Sequence, residues 1–265
     1  MNRVRKYDSV IPLEQRQRIS NRYKRITRAI NNEFWNLESE TKNSFYVGSY
    51  GRGTAINTSD IDILVSLPSS LFDSYNNLSG NGQSRLLQTV RSAIKQTYPQ
   101  SDIRADGQIV KINFSDGILF EILPAFQNYN GTYIYPNTNS GGNWQSTNPK
   151  AEQEAMLEKN QLSNGLLVAT CQHMRYVRDN HFKSYKLSGI VIDSFVYHAI
   201  GNWRFVSSGE GSSESGTYEK VLLNYFNEYA FLWDIISLRA PGSQDEVETK
   251  NSVDCLEKVL KHMVG

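Results

Sequence analysis

The sequence has few of the features that would mark a secreted, membrane or zinc-stabilised protein. It contains only two cysteines, and Cys171 and Cys255 are far apart in the chain and lack the paired spacing of a zinc site. No run approaches the roughly 18 apolar residues of a membrane-spanning helix. The basic N-terminus has no apolar core of signal-peptide length. We therefore expect a soluble, cytoplasmic protein with no membrane partner and with buried, reduced thiols.

Net charge is also small. The 28 basic and 27 acidic side chains leave a formal charge of +1, whereas proteins that grip nucleic acid usually carry a clear basic excess. Six basic residues lie between positions 16 and 28, and we interpret them as a solvated helix face. Activation by nucleic acid is therefore not expected.

Apolar periodicity predicts a mixed first part and a helical second part. In the first part, the spacing predicts helices at 12–38 and 83–97, strands at 44–47 and 60–67, and a β-hairpin at 108–123 that turns at Asp116-Gly117. Residues 127–149, rich in Asn, Gly, Ser and Thr, are predicted to form a long surface loop. The second part predicts helices at 151–179, 186–205, 217–238 and 251–263, with a Gly/Ser-rich break at 207–216.

These elements predict an α+β protein that is long enough to bury a substantial core. A lobe with a mixed sheet would span residues 1–150, and an all-helical lobe would span residues 151–265. The long N-terminal helix is expected to bridge the two lobes.

A glycine-rich segment, Gly48 to Gly53, precedes the second predicted strand. Such a turn allows close approach of a ligand to the backbone, and backbone N–H groups leading into a helix would bind a triphosphate. Ser49 would add a hydroxyl donor. Arg52 would either contact phosphate or brace the turn by bonding backbone carbonyls, and the sequence does not choose between these roles.

Two acids follow the turn at the start of the predicted strand. Asp60 and Asp62 are two residues apart, so their carboxylates project from one face of a strand and can share a pair of hard cations. Two such ions, about 3.5–4 Å apart, activate an attacking hydroxyl and stabilise a leaving pyrophosphate. We expect Mg²⁺, with Mn²⁺ as the alternative ion. The same tripeptide alone would more often be two solvated acids, but the upstream turn favours the metal site.

Glu121 is the candidate for a third metal ligand. It lies in an apolar strand, Ile118 to Leu123, where an acid is costly to bury without a metal or an Arg as partner. The alternative is a lone Glu on the solvent side of an edge hairpin.

The segment GSYGRGTAINTSDIDILVSLP, followed by FEILPAF, resembles the motif of the CD-NTase family within the DNA polymerase β nucleotidyltransferase superfamily. CD-NTases are the bacterial relatives of cyclic GMP-AMP synthase and oligoadenylate synthases. The resemblance covers most of the chain and implies a polymerase β-like catalytic lobe, with Asp60, Asp62 and Glu121 as catalytic metal ligands. In that family the third acid is usually Asp, so Glu121 is a departure.

The resemblance also implies roles in the helical lobe, which would complete the donor nucleotide site. Arg175 matches a cation that contacts the donor triphosphate, Ser184 a hydroxyl on the same phosphates, and Tyr185 an aromatic residue that stacks on the base. Read from the sequence alone, Arg175 would equally be a surface charge and Tyr185 a core residue.

The implied function is the joining of nucleoside triphosphates (ATP, GTP, UTP or CTP) into a cyclic oligonucleotide second messenger that activates a downstream effector in bacterial antiphage defence. Two alternatives stay open: transfer of a nucleotide to an RNA, small-molecule or protein acceptor, and a catalytically silent nucleotide-binding module. The departure at Glu121 motivates the second alternative.

Overall fold

The computed structural model describes residues 3–7, 10–206, 217–229, 232–233 and 237–265. Its helices are α1 (Leu13–Trp35), α2 (Gly48–Gly51), α3 (Phe72–Asn76), α4 (Gly82–Thr97), α5 (Pro149–Leu162), α6 (Leu166–His181), α7 (Gly189–Ala199), α8 (Thr217–Glu228) and α9 (Val253–Val264). Its strands are β1 (Ser44–Tyr46), β2 (Ile61–Leu67), β3 (Asp102–Asp106), β4 (Ile109–Asn113), β5 (Leu119–Gln127), β6 (Tyr133–Asn137), β7 (Asn143–Thr147), β8 (Leu238–Arg239) and β9 (Glu246–Val247). The α+β class is as predicted.

The chain packs into two compact units. The sheet unit contains Ile11–Gly51 and Ser59–Pro149, and the helical unit contains Met1–Val10, Arg52–Thr58 and Lys150–Gly265. A single division at residue 150 therefore does not describe the packing, because the short segment 52–58 groups with the C-terminal helices. The predicted bridging role of α1 stays a prediction, and its described contacts place it in the sheet unit.

The sheet unit contains a mixed seven-stranded sheet in the order β1-β2-β5-β4-β3, in which β6 also pairs with β5, and β7 pairs with β6. The central pair is β2 and β5, which run parallel from Ile61 opposite Phe120 to Leu67 opposite Phe126. Helices α1 and α4 bury Ile19, Ile26 and Leu86 in the same core as this pair. Asn81 caps α4, since its side chain accepts a hydrogen bond of 2.8 Å from the backbone N–H of Ser84.

The prediction of a long surface loop at 127–149 is wrong. Most of this segment forms the antiparallel hairpin of β6 and β7, from Tyr133 opposite Thr147 to Asn137 opposite Asn143. Tyr133 is 2% exposed, and Trp144 packs its ring 5.0 Å from that of Phe72. These aromatic side chains anchor the hairpin even though most of its residues are polar. The hydrogen bonds between β6 and β7 satisfy the backbone N–H and C=O groups of the segment.

The hairpin predicted around Asp116-Gly117 is confirmed as β4 and β5, but its turn is longer than a two-residue turn. Phe114 donates its backbone N–H to the Ile118 carbonyl at 3.2 Å, and Gly117 has a φ of +82°. A three-residue turn that ends in a left-handed glycine fits this geometry. β3, which pairs with β4, was not predicted.

The basic face of α1 has partners within the sheet unit. Arg18 and Arg22 pair with Asp116 at 3.2 and 2.9 Å, and the guanidinium of Arg22 lies 3.9 Å from the centre of the Phe114 ring. Arg28 pairs with Glu40. The guanidinium of Arg25 lies over the ring of Tyr98. Four of the six basic residues on this helix therefore contact an acid or an aromatic ring of the sheet unit.

The helical unit has its own apolar core, to which α6, α7, α8 and α9 contribute Leu167, Phe195, Leu222 and Leu256. The predicted helix at 151–179 is two helices, because Asn164 and Gly165 take left-handed φ values of +56° and +90° between them.

The other helices of this unit are shorter than predicted. The helix at 186–205 is reduced to α7, and Gly201, at φ +55°, lies just after it. The helix predicted at 217–238 is observed as α8, which ends at Glu228. Residues 230–231 and 234–236 lie outside the described residues, and so does the predicted break at 207–216. Both cysteines are buried and unpaired as predicted. None of the helices in the described part of the chain combines the length and the hydrophobicity of a transmembrane segment.

Candidate active site

The glycine turn lies directly against a strand carboxylate. Gly48 has a φ of +58°, and the backbone N–H of Val47 donates to the carbonyl of Asp62 at 2.9 Å. A Cβ at position 48 would stand 1.9 Å from Oδ2 of Asp62. Only glycine satisfies both the backbone angle and this approach, so Gly48 brings the turn into contact with a predicted metal ligand.

The turn continues into a helix, α2, as the sequence indicated, but this helix is very short. This helix has four residues, Gly48 to Gly51, so it has almost no aligned peptides to sum into a macrodipole. The local backbone N–H groups remain as the candidate feature for binding phosphate. Tyr50 packs 4.6 Å from Tyr46, which stacks 4.4 Å from Tyr23 of α1, and this aromatic row supports α2. Burial raises the pKa of the Tyr46 hydroxyl.

The predicted carboxylates lie on neighbouring strands. Asp60 immediately precedes β2, Asp62 is its second residue, and Glu121 on β5 is the register partner of Asp62. Neighbours in the register project to the same face of a sheet. The buried neighbours of Glu121, Phe120 and Ile122, project to the opposite face into the core.

Glu121 is not on an edge strand and is not alone. Its strand lies between β2 and β4, which rules out the edge-hairpin alternative. Lys111 on β4 is its antiparallel register partner, and Lys111 Nζ lies 3.5 Å from Glu121 Oε1 and 2.9 Å from Asp106 Oδ2. The hydrogen bond with Asp106 is the main cause of a raised pKa for Lys111. The sequence analysis missed Lys111, although the hairpin implied that some β4 residue faces Glu121.

The donor atoms of Asp60, Asp62 and Glu121 suit a hard divalent cation, since all are carboxylate oxygens. In the described part of the chain, however, no three Asp, Glu, His or Cys side chains are gathered closely enough to hold an ion. The fit to a metal therefore rests on donor chemistry, on the shared register of Asp62 and Glu121, and on the backbone of Gly48 beside Asp62.

Arg52 has a structural role that the sequence analysis did not consider. Its side chain is 7% exposed and forms ion pairs within the helical unit, from Nη1 to Glu152 at 2.7 Å and from Nε to Asp193 at 2.9 Å. Thr54 donates its hydroxyl to the same Asp193 oxygen at 2.9 Å. Burial would lower the pKa of Arg52, but the two carboxylates outweigh it and raise the pKa. Arg52 thus anchors segment 52–58 to α5 and α7.

Arg175 is also a structural residue here, which corrects its assignment to the donor triphosphate. It is 1% exposed, and Nη1 contacts Asp193 Oδ1 at 2.6 Å. Its other guanidinium hydrogen bonds go to the carbonyls of Cys171 and Gly189, at 3.3 and 2.9 Å. A guanidinium enclosed in this way has no face open to a phosphate.

Asp193 is the centre of this buried cluster. Burial would raise its pKa, but Arg175 and Arg52 outweigh burial and hold it below its ordinary value. At Glu152 burial prevails over Arg52, and the pKa is raised. Sequence reasoning missed both acids, although Asp193 interrupts the apolar run from Ile190 to Val196, the same signal that identified Glu121.

Ser184 and Tyr185 lie in the exposed turn between α6 and α7. Tyr185 is 42% exposed, so the alternative that it belongs to the core is wrong. Its backbone N–H donates to the Phe182 carbonyl at 3.0 Å, and Nζ of Lys258 lies 4.8 Å from its ring centre. Both side chains are accessible, as a ligand-binding role requires.

Comparisons with known proteins point to one family of synthetases. Residues 6–160 match the family model of the Second Messenger Oligonucleotide or Dinucleotide Synthetase domain. A probable cyclic nucleotide synthase of Bacillus cereus (strain VD146) is 24% identical over 152 residues, which are 55% of this chain and 45% of that protein. The chain therefore spans less than half of the length of that curated relative.

Solved structures share the fold. The CdnE cyclic dinucleotide synthase of Elizabethkingia meningoseptica, solved with GTP and Apcpp, superposes with a TM-score of 0.61 at 15% identity, covering 91% of this chain and 89% of that one. The STING-associated CdnE c-di-GMP synthase of Capnocytophaga granulosa gives 0.64 at 16% identity, covering 93% and 80%. With the domain match over more than half of its length, the chain belongs to the second messenger oligonucleotide or dinucleotide synthetase family, which confirms the resemblance to the CD-NTases.

Proposed function

We propose that this chain is a metal-dependent nucleotidyltransferase that joins nucleoside triphosphates into a cyclic di- or oligonucleotide and releases pyrophosphate. The observation that carries the proposal is the register of Asp62 with Glu121 on the central strands, with the Gly48 turn directly against Asp62. A phosphate-binding backbone beside paired carboxylates is the arrangement that phosphoryl transfer requires.

Asp60, Asp62 and Glu121 would hold divalent cations, Mg²⁺ or Mn²⁺, which lower the pKa of the attacking hydroxyl and neutralise the leaving pyrophosphate. The backbone at Gly48 and the hydroxyl of Ser49 would orient the phosphates. The reaction forms a bond between a ribose oxygen and the α-phosphorus and breaks the bond from that phosphorus to the pyrophosphate oxygen. A second transfer closes the ring.

In the helical unit, Ser184 and Tyr185 keep their proposed roles in nucleotide binding because both side chains are exposed. Tyr185 would stack on a base, an interaction worth about 1–3 kcal/mol that every base can make. Arg52 and Arg175 are withdrawn from the proposed nucleotide contacts because their guanidinium groups are enclosed by acids and carbonyls.

We also propose that the product is a second messenger for a separate effector in antiphage defence. Support comes from the family and from relatives described as STING-associated synthases. Direct activation by nucleic acid is not proposed, since four arginines of the basic face on α1 already contact acids or aromatic rings.

The test is to incubate the purified chain with all four ribonucleoside triphosphates and Mg²⁺ or Mn²⁺, and to identify phosphatase-resistant products by mass spectrometry. Asp60→Ala with Asp62→Ala is the inactive control, and Glu121→Gln tests the third ligand. A cyclic product that is absent in the control supports the proposal and names the bases. Consumption of nucleotide only when an acceptor is added would replace it with transfer to that acceptor. Metal-dependent binding without pyrophosphate release would indicate a silent module.

A further inference from the structure

Four residues form a transverse row across the sheet. Asp62 on β2 faces Glu121 on β5, Glu121 faces Lys111 on β4, and Lys111 faces Arg104 on β3. Register partners project to the same face. Two acids are therefore followed by two bases, and the change of sign falls between Glu121 and Lys111.

Lys111 is the base in contact with the acidic half of the row. Its Nζ lies 3.5 Å from Glu121 Oε1, and the two side chains are 34% and 24% exposed. Arg104 differs: its Nε lies 3.0 Å from Asp102, and its side chain is 74% exposed. The two bases thus carry the same charge on adjacent strands, but only Lys111 forms an ion pair with a proposed metal ligand.

We propose that Lys111, which also pairs with Asp106 at 2.9 Å, is a counter-ion of Glu121 and that it lowers the affinity of the carboxylate row for a free divalent cation. This inference rests on the proposed metal role of Asp62 and Glu121. A cation that binds Glu121 must compete with a positive charge already beside it, because Coulomb repulsion between like charges persists at such separations when water screens them only partly.

The consequence is a site that binds metal poorly on its own and better together with nucleotide. A nucleoside triphosphate brings negative charge that offsets Lys111, so the two ligands favour each other.

The test measures Mn²⁺ binding to the full chain, in the absence of nucleotide, from the electron paramagnetic resonance signal of free Mn²⁺. The variants are Lys111→Met and Lys111→Gln, which remove the charge, and Lys111→Arg, which retains it. Arg104→Met is the matched control for loss of one charge from the neighbouring strand, and Asp62→Asn reports whether binding belongs to the row. Circular dichroism checks that each variant is folded.

We expect Lys111→Met and Lys111→Gln to bind Mn²⁺ about three- to tenfold more tightly than the parent chain does. This is the size of effect expected when one screened positive charge, a few ångströms from a divalent ion, is removed. Lys111→Arg and Arg104→Met should stay within about twofold of the parent, since each leaves one cation beside Glu121. With a non-hydrolysable ATP analogue present, the gain from Lys111→Met should shrink.

Unchanged or weaker Mn²⁺ binding in both uncharged variants, while Asp62→Asn still abolishes binding, would overturn the role of Lys111 and leave the proposed function intact. An equal gain in Arg104→Met would reduce the effect to general surface charge and would also overturn the inference. If Asp62→Asn changes nothing in any background, the metal site itself, and with it the proposed function, is wrong.

Discussion

Replacing Asp193 with Asn removes one negative charge from a cluster that holds two buried guanidinium groups. The substitution keeps the size of the side chain and one carbonyl oxygen, so it leaves almost no cavity. Arg52 retains Glu152 at 2.7 Å. Arg175 retains only the carbonyls of Cys171 and Gly189. The effect of the substitution therefore falls mainly on Arg175.

The expected cost follows from the burial of that residue. Asp193 is 0% and Arg175 1% exposed, so water cannot replace the lost charge. Breaking a buried ion pair from one side typically costs about 3–5 kcal/mol, because the remaining ion is left uncompensated. The retained oxygen and the two carbonyls favour the lower end, and we expect the free energy of unfolding of the helical unit to fall by about 3 kcal/mol.

The assay is urea denaturation followed by circular dichroism, with hydrogen exchange of the α6 and α7 amides to localise the change. The matched control is Asp179→Asn. Asp179 also pairs with an arginine, Arg178, at 2.6 Å, but its side chain is 21% exposed, so its loss should cost about 1 kcal/mol or less. The double variant Asp193→Asn, Arg175→Met should regain part of the loss, because it removes the stranded charge.

The acid dependence gives a second readout. Because the folded pKa of Asp193 is below its ordinary value of 3.8, its contribution to stability is complete above that value and is lost as the pH falls through the folded pKa. The difference in stability between the parent and Asp193→Asn should therefore shrink only below about pH 4. A cost no larger than that of Asp179→Asn, or a double variant no more stable than Asp193→Asn alone, would refute the reasoning.

Three further predictions concern other parts of the two units. Gly48→Ala should lower product formation by at least about a hundredfold, because the new Cβ meets Asp62 and a non-glycine residue at positive φ costs about 1–2 kcal/mol. Circular dichroism should show that the sheet is intact. Turnover near that of the parent would contradict this prediction. Tyr185→Ala should raise the KM for nucleotide about tenfold while Tyr185→Phe stays near the parent, since stacking needs only the ring; equal effects of both would point to the hydroxyl instead. Arg22→Met should lower the melting temperature only slightly, because a partly exposed ion pair with Asp116 contributes about 1 kcal/mol or less. A large fall in the melting temperature would mean that the stacking of Arg22 on Phe114 contributes more than the ion pair.

The sequence predicted the elements whose hydrophobic pattern is strong. Helix α1 and strand β2 follow directly from their spacing, and the α+β class with them. The hairpin of β6 and β7 was missed because the segment 127–149 as a whole is rich in Asn, Gly, Ser and Thr. Its anchors, Tyr133 and Trp144, are single aromatic residues without a periodic pattern, and their packing against β1, α3 and β5 depends on tertiary contacts.

Residues of the candidate site divide in the same way. Gly48, Asp62 and Glu121 were selected from short sequence motifs, and the structure brings them together, while their catalytic roles stay predictions. Lys111 was missed because its register with Glu121 depends on one extra residue in the turn at Asp116, and a shift of one residue exchanges the faces of a strand. Arg52 and Arg175 were misassigned because an arginine suits a phosphate and a buried carboxylate equally well, and only burial distinguishes the two.

Segment 52–58 has a practical consequence for dividing the chain. Expression of residues 1–149 alone would produce Arg52 and Thr54 without Glu152 and Asp193, and the complementary piece would contain Asp193 and Arg175 without Arg52. Arg52 would then lie in a fragment without its two acids, and Glu152 would lose the arginine that pairs with it, while Asp193 would keep only Arg175. Either fragment should be recovered mainly as aggregate, whereas mixing the two during refolding should restore soluble material.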